Sequence, residues 1–247
     1  MRYICLEAFL TSIQKKYPKV KVIVADDTPD DIYETVNRTQ FPNVRQYKMP
    51  SESGWFAGRG LAISQVETDY FIWMDDDFVV TEQTDLEILF SIIEQTNYDV
   101  VSGKVGFSDS VSKFQRKEHF SIDKNENGFC YTRIPYQPTI QMPGYPDCHV
   151  TDITSNYFIA RTVTAGTIRM DPKFRRKAHK EWFLDGLGFL RVARCDVANV
   201  KHAPEECDGR NKAYQKYRGK LGKTYDDSDI LNDKLWHYRS YIDCIKN

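Results

Sequence analysis

Tyr70-Phe71-Ile72-Trp73-Met74-Asp75-Asp76-Asp77 is the stretch on which the reading of the chain turns. Five apolar residues run directly into three carboxylates. A short unbroken apolar run predicts a strand buried on both faces. Unpaired carboxylates are costly to bury, so this strand must deliver Asp75, Asp76 and Asp77 to an open edge. Alternation along a strand puts Asp75 and Asp77 on one side and Asp76 on the other. Carboxylates two residues apart at a strand end suit a hard divalent cation that also holds phosphate oxygens. The expectation is a metal–diphosphate site with the rest of the chain built around it.

Working outward, Leu6, Phe9, Leu10 and Ile13 form the apolar face of a helix over 3–16, stopped by Pro18. The β-branched run 20–25 predicts a strand that ends in Asp26-Asp27. A third strand is expected over 44–49. Residues 53–60, Ser-Gly-Trp-Phe-Ala-Gly-Arg-Gly, open a helix that runs to about 66. Leu86, Leu89, Phe90 and Ile93 mark another helix, and 99–105 another strand. Strands alternating with helices predict βαβ units and a mostly parallel sheet flanked by helices, an α/β fold. Ligands bind beyond the carboxyl ends of such strands. Both Asp26-Asp27 and Asp75–Asp77 stand there.

After residue 106 the pattern changes. Asn127-Gly128, Pro135, Pro138, Pro143-Gly144 and Pro146 predict loops and short antiparallel strands over 107–150. Residues 153–160 return to the sheet. A helix is expected over 181–191, weakened by Gly186 and Gly188, then a strand over 197–201 that ends in His202. From 208 no apolar period is sustained. The domain expectation is one catalytic unit over 1–207 and a tail over 208–247.

The net charge of −1 gives no electrostatic case for nucleic acid or an anionic membrane surface. No stretch is apolar for long enough to span a bilayer, and the start has no signal-peptide layout. The six cysteines form no CxxC pair, which argues against zinc. A disulfide such as Cys130–Cys148 and free thiols are both compatible with the spacing.

Each acidic motif has more than one chemistry. Asp75, Asp77 and Val79 also fit the D-x-D-x-V of haloacid-type phosphatases, in which the first Asp is a nucleophile. That motif usually follows a first strand, whereas here it follows two βα units. A calcium loop is a poor match, because no Gly stands at the sixth position. Asp26-Asp27 either caps the next segment or accepts hydrogen bonds from a nucleobase or ribose. Arg59, always charged, can meet a diphosphate or brace one of the Asp residues. Glu181 and Asp185 share a helix face, so either could act as a base or merely favour the helix dipole. His202 is either structural or the imidazole of a mixed site suited to Mn²⁺.

Five segments stand in an order that resembles the β-1,4-N-acetylgalactosaminyltransferases of the ganglioside-synthase type: Val-Ile-Val-Ala-Asp-Asp (22–27), Gly-Trp-Phe-Ala-Gly-Arg (54–59), Leu-Ala-Ile-Ser-Gln-Val (61–66), Trp-Met-Asp-Asp-Asp-Phe (73–78) and Glu-Trp-Phe-Leu-Asp-Gly-Leu-Gly (181–188). The resemblance covers roughly 3–205. It implies a GT-A fold, UDP-GalNAc as donor, Mn²⁺ or Mg²⁺ as cofactor, and inversion at the sugar carbon. It implies that Asp75 and Asp77 serve the metal and ribose, with Asp76 beside them. Asp26 and Asp27 would face the uridine, and Arg59 the diphosphate. His202 would be the third metal ligand, and Glu181 or Asp185 the base. It further implies a glycolipid or glycoprotein acceptor, a homodimer, and a Golgi-lumenal type II membrane protein whose anchor lies outside this chain. Position 60 is Gly where the family pattern has Asn. GT-A chains begin with a strand before the first helix, whereas Met1 stands at the helix. The expectation is therefore a catalytic domain without its first strand, and a sheet with a gap between the strands at 20–25 and 70–74. A non-catalytic sugar-nucleotide or glycan-binding module is the alternative.

Overall fold

A computed structural model describes residues 2–106, 118–126, 128–135, 139–174, 179–202, 242 and 244–246. Helix α1 (Tyr3–Lys16) buries Leu6, Phe9, Leu10 and Ile13, the face its spacing predicts. Strand β1 (Val22–Asp26) pairs in parallel with β2 (Val44–Lys48) as a two-stranded sheet. Helix α2 (Trp55–Ser64) leads to β3 (Tyr70–Trp73). Then follow β4 (Phe78–Val79), α3 (Leu86–Glu94), β5 (Val100–Ser102) and β6 (Val105–Gly106). The expected strand 99–105 is thus split. Gly103 sits at the break, where a Cβ would collide with the Tyr157 ring and the Ala198 carbonyl.

The second half adds β7 (Glu118–Asn125), β8 (Gly128–Pro135), β9 (Gln141–Met142), β10 (Tyr145–Val150) and β11 (Phe158–Arg161). It ends with α4 (Thr162–Gly166), α5 (His179–Asp185), β12 (Val192–Cys195), β13 (Val200–His202) and β14 (Cys244–Lys246). Helix α5 stops at Gly186, well short of 191, and β12 had no separate sequence signal. In the tail, β14 pairs with β8 and Ile242 is buried; residues 203–241 lie outside the described set.

The main sheet has the order β3-β11-β5-β12-β10-β9. It is mixed, not mostly parallel: β11 runs antiparallel to both β3 and β5, and only β5–β12 is a parallel pair. Insertion of β11 is the reason, because it returns directly from the irregular stretch without a crossover helix. The expected gap is present. Among the described residues β1 pairs only with β2, and β3 is an edge strand paired only with β11. Tyr70, Phe71 and Ile72 are accordingly half-buried rather than enclosed on both faces.

Alternation along the main sheet separates two cores. Ile72, Ile159, Val101 and Ala193 stand in register and pack with α1 and α3. Phe71, Ala160, Val100 and Val192 form the opposite row. With Trp73 and Phe158 they pack against Phe56 of α2, Ala165 of α4 and Trp182, Phe183 and Leu184 of α5. The cysteine expectation needs correction. Cys148 bonds Cys195, because β10 and β12 set the two directly opposite each other; Cys130, on β8 in another sheet, is in a separate disulfide.

The Cys148–Cys195 bond closes a loop of 47 residues. Replacing both cysteines by serine should cost about 2–4 kcal/mol by releasing unfolded-state entropy. Urea unfolding checks this: the double variant should fall below wild type by that amount without reductant, and the two should converge when both are reduced.

Candidate functional site

Three carboxylates at the tip of β3 are compensated from three different elements. The strand ends at Trp73, and Asp75–Phe78 turn, with the Phe78 N–H donating to the Asp75 carbonyl. That turn corrects the alternation expected of Asp75, Asp76 and Asp77. Arg2, at the start of α1, pairs with both Asp76 (3.0 Å) and Asp77 (2.7 Å). His202, at the end of β13, places Nε2 3.3 Å from Asp77 Oδ2. Arg59 of α2 pairs with Asp75 Oδ1 and donates to the Met74 carbonyl at 2.6 Å. Its guanidinium lies over the rings of Trp55 (5.3 Å) and Trp73 (4.9 Å). Asn156, just ahead of β11, donates from Nδ2 to Asp75 Oδ2 at 2.9 Å.

The tip is open. Side-chain exposure is 22% for Asp75, 39% for Asp76 and 17% for Asp77. Burial and the two neighbouring carboxylates push Asp76 up to about 6, against the pull of Arg2. Burial also raises Asp75, opposed by Arg59 and Asn156. Burial would raise Asp77 too, but His202 and Arg2 outweigh it and hold that carboxyl at about 2.

The second acidic pair lies beside the first. Tyr3 follows Arg2 in sequence, with Cα atoms about 3.8 Å apart, and donates its hydroxyl to Asp26 at 2.9 Å. Arg2 and Tyr3 therefore fasten both tips to one helix start. Asp26 is buried and accepts further bonds from the Thr28 N–H (3.0 Å) and Gln46 Nε2 (2.8 Å). Burial opposes its ionisation, yet these donors hold its carboxyl below the usual range. Asp27, half-buried, accepts from the Gly54 N–H at 2.8 Å. Gly54 has φ +91°, a conformation glycine adopts without strain, and it begins α2. One helix start thus links Asp27 to Arg59 and Asp75. Gly60, where a polar side chain was expected, faces Met170 of the second core: a Cβ there would meet the Met170 Cβ at 3.4 Å.

Helix α5 runs from the carboxyl to the amino end of the sheet. His179 Nε2 meets the Thr154 carbonyl at 2.6 Å, and Thr154 hydrogen-bonds Ser102 at the carboxyl end of β5. At its far end, Arg191 bonds Asp99, ahead of the amino end of β5. Glu181 therefore lies on the side of the Asp tip, and Asp185 about 6 Å further from it along the axis. Trp182 packs on Trp73 with ring centroids 5.7 Å apart. Glu181 is buried, with 1% exposure, whereas Asp185 is half-buried.

The sequence reading missed Arg2 and Asn156. Arg2 carries no local signal. Asn156 has one once the pairing is known: Trp73↔Phe158 in antiparallel register sets Asn156 opposite Asp75. For a divalent cation, the donor chemistry fits. The Arg2 guanidinium already sits against Asp76 and Asp77, so the tip accommodates positive charge. Among the described residues no three His, Cys, Asp or Glu side chains converge; Asp77 and His202 are the pair that meets. A cation held by one or two side chains plus phosphate oxygens needs no third.

Comparisons with known proteins place the chain among sequences and folds already described. Residues 3–159 match Glycosyl transferase family 2. The chain is 36% identical to mouse β-1,4 N-acetylgalactosaminyltransferase 1, over 99% of this chain and 46% of that protein. The human protein of the same name gives the same figures. Mouse β-1,4 N-acetylgalactosaminyltransferase 2 is 36% identical over 86% of this chain and 41% of its own. The chain thus spans less than half the length of these curated relatives. Among solved structures, Staphylococcus aureus TarS 1-349 superposes with TM-score 0.57 at 16% identity, covering 94% of this chain and 63% of that one. TarS 1-349 in complex with UDP gives TM-score 0.53 at 14% identity, covering 96% of this chain and 69% of that one.

The depressed Asp77 carboxyl has a pH signature. Its folded value is about 2 against 3.8 in the free side chain. Ionised Asp77 therefore stabilises the fold fully above about pH 4, and that contribution is lost as pH falls from 4 through 2. Asp77→Asn should lower stability by on the order of 2 kcal/mol at pH 7. Thermal unfolding at pH 7 and pH 3 should show the gap between the two proteins narrowing at the lower pH.

Proposed function

The chain belongs to Glycosyl transferase family 2, and from that premise we propose that it is catalytic-domain sequence of an inverting, metal-dependent N-acetylgalactosaminyltransferase. It moves GalNAc from UDP-GalNAc to a hydroxyl of a glycolipid or glycoprotein glycan, forming a β-1,4 linkage. The observation that carries this reading is the convergence of Arg2, Arg59 and His202 on the Asp75–Asp77 tip, with Tyr3, next to Arg2, bonded to Asp26. The relatives' names support the sugar and linkage, and the UDP complex among the structural neighbours supports a nucleotide-sugar donor.

In this reading Asp77 and His202 hold Mn²⁺ or Mg²⁺, with Asp76 beside them. The metal, when bound, neutralises the charge that grows on departing UDP. Arg59 stands at the diphosphate, with Asp75 set against it. Asp27 accepts hydrogen bonds from uridine; Asp26, already taking three donors, shapes the pocket behind it. The acceptor oxygen bonds to the anomeric carbon as the bond from that carbon to the β-phosphate oxygen breaks, and the electron pair leaves with UDP. Glu181 takes the acceptor proton, because it lies nearer the tip than Asp185. The compartment is the Golgi lumen, in keeping with the Cys148–Cys195 disulfide. The domain is residues 1–207, to which the tail adds β14. No helix among the described residues is long and apolar enough to cross a membrane.

The burial of Glu181 favours a second reading, a sugar-nucleotide-binding module without turnover. Calorimetry and UDP release with UDP-GalNAc, a glycan panel and Mn²⁺ separate the two. Turnover, including slow hydrolysis, supports the transferase; UDP binding without turnover supports the module; neither rejects both. Asp77→Ala should weaken Mn²⁺-dependent UDP binding at least about tenfold, roughly 1.4 kcal/mol. Glu181→Gln should leave UDP affinity unchanged and lower kcat by about 10²–10⁴; an equal loss in Asp185→Asn alone would move the base role to Asp185.

A further inference from the structure

Each oxygen of Asp75 is taken by a different neighbour: Arg59 on Oδ1 and Asn156 on Oδ2. The β3–β11 register makes this contact a consequence of the sheet. Trp73 stands opposite Phe158, and two residues beyond each strand end Asp75 stands opposite Asn156. A carboxylate only accepts hydrogen bonds, so Asn156 must turn its NH₂ group to Asp75. Its carbonyl oxygen is then buried without a partner. An amide that orphans its own acceptor to serve a carboxylate is held there at a cost, and such a group asks for an explanation.

The explanation lies one link further on. Arg59 is fixed on three sides, by the Met74 carbonyl, by the faces of Trp55 and Trp73, and by Asp75. The Met74 carbonyl takes Nη1 and the rings take the guanidinium face, which leaves the direction of Nη2 as the angle still to be set. Asp75 sets that last angle, and the broad terminal torsion of an Asp side chain is set in turn by what holds its other oxygen. We propose that Asn156 is a positioning residue for nucleoside diphosphate binding: through Asp75 it fixes the orientation in which Arg59 meets the diphosphate. This rests on the proposed reading, in which Arg59 faces the diphosphate of UDP.

Asn156→Ala removes the donor, and Asn156→Asp keeps the shape but sets a second carboxylate against Asp75. Calorimetric titration of the full chain with UDP and with uridine, in Mn²⁺, tests both variants, with thermal unfolding to confirm the fold. UDP affinity should fall about fivefold in Asn156→Ala and at least about tenfold in Asn156→Asp, while uridine affinity stays within about twofold of wild type. In an Arg59→Ala background, Asn156→Ala should add no further loss, because the two act in series. An unchanged UDP affinity in either folded variant overturns the proposal. So does a parallel loss of uridine affinity, or a full additional loss in the Arg59→Ala background. A wild-type chain that binds no UDP would instead overturn the proposed function itself.

Discussion

Three successive carboxylates crowd one strand tip, where like charges oppose one another's ionisation. No single neighbour offsets that. The fold answers with Arg2 at the start of α1 on Asp76 and Asp77, Arg59 of α2 on Asp75, and His202 of β13 on the same Asp77 oxygen that Arg2 meets. The first helix, the second helix and a short strand from the far end of the chain are drawn to one edge by this requirement. Of the three carboxylates, Asp77 is the one held below its ordinary range, whereas burial raises both Asp75 and Asp76.

The second constraint is apolar. Trp73, Trp182 and Phe158 form one packed layer beneath the tip, with Trp182 and Phe158 stacked at 5.7 Å. Arg59 lies across its edge. The same layer carries α5, so the helix that holds Glu181 packs directly on the strand that leads to Asp75.

Much of this was legible in the sequence, for local reasons. The faces of α1 and α3 follow from 3.6-residue spacing, and the ends of β1 and β3 from carboxylates after apolar runs. His202 stood out as a ligand-type residue at a strand end, with a structural role left open, and the structure sets it against Asp77. What was missed depends on contacts between distant segments. Insertion of β11 made the sheet mixed, and no local pattern announces which strand will lie between two others. Arg2 and Asn156 are ordinary polar residues until pairing brings them to the carboxylates. The Cys148–Cys195 bond likewise needed the register of β10 against β12, which spacing alone does not give.

The central claim is that the acidic tip holds a nucleotide diphosphate through a cation. A crystal structure of the chain with UDP and Mn²⁺, with data collected at the manganese edge, tests it most directly. The account predicts one anomalous peak within coordination distance of Asp77 and His202, with diphosphate oxygens as further ligands and Arg2 displaced from Asp77. UDP bound with no peak at the tip, or a peak elsewhere with Arg2 still paired to Asp76 and Asp77, would contradict it.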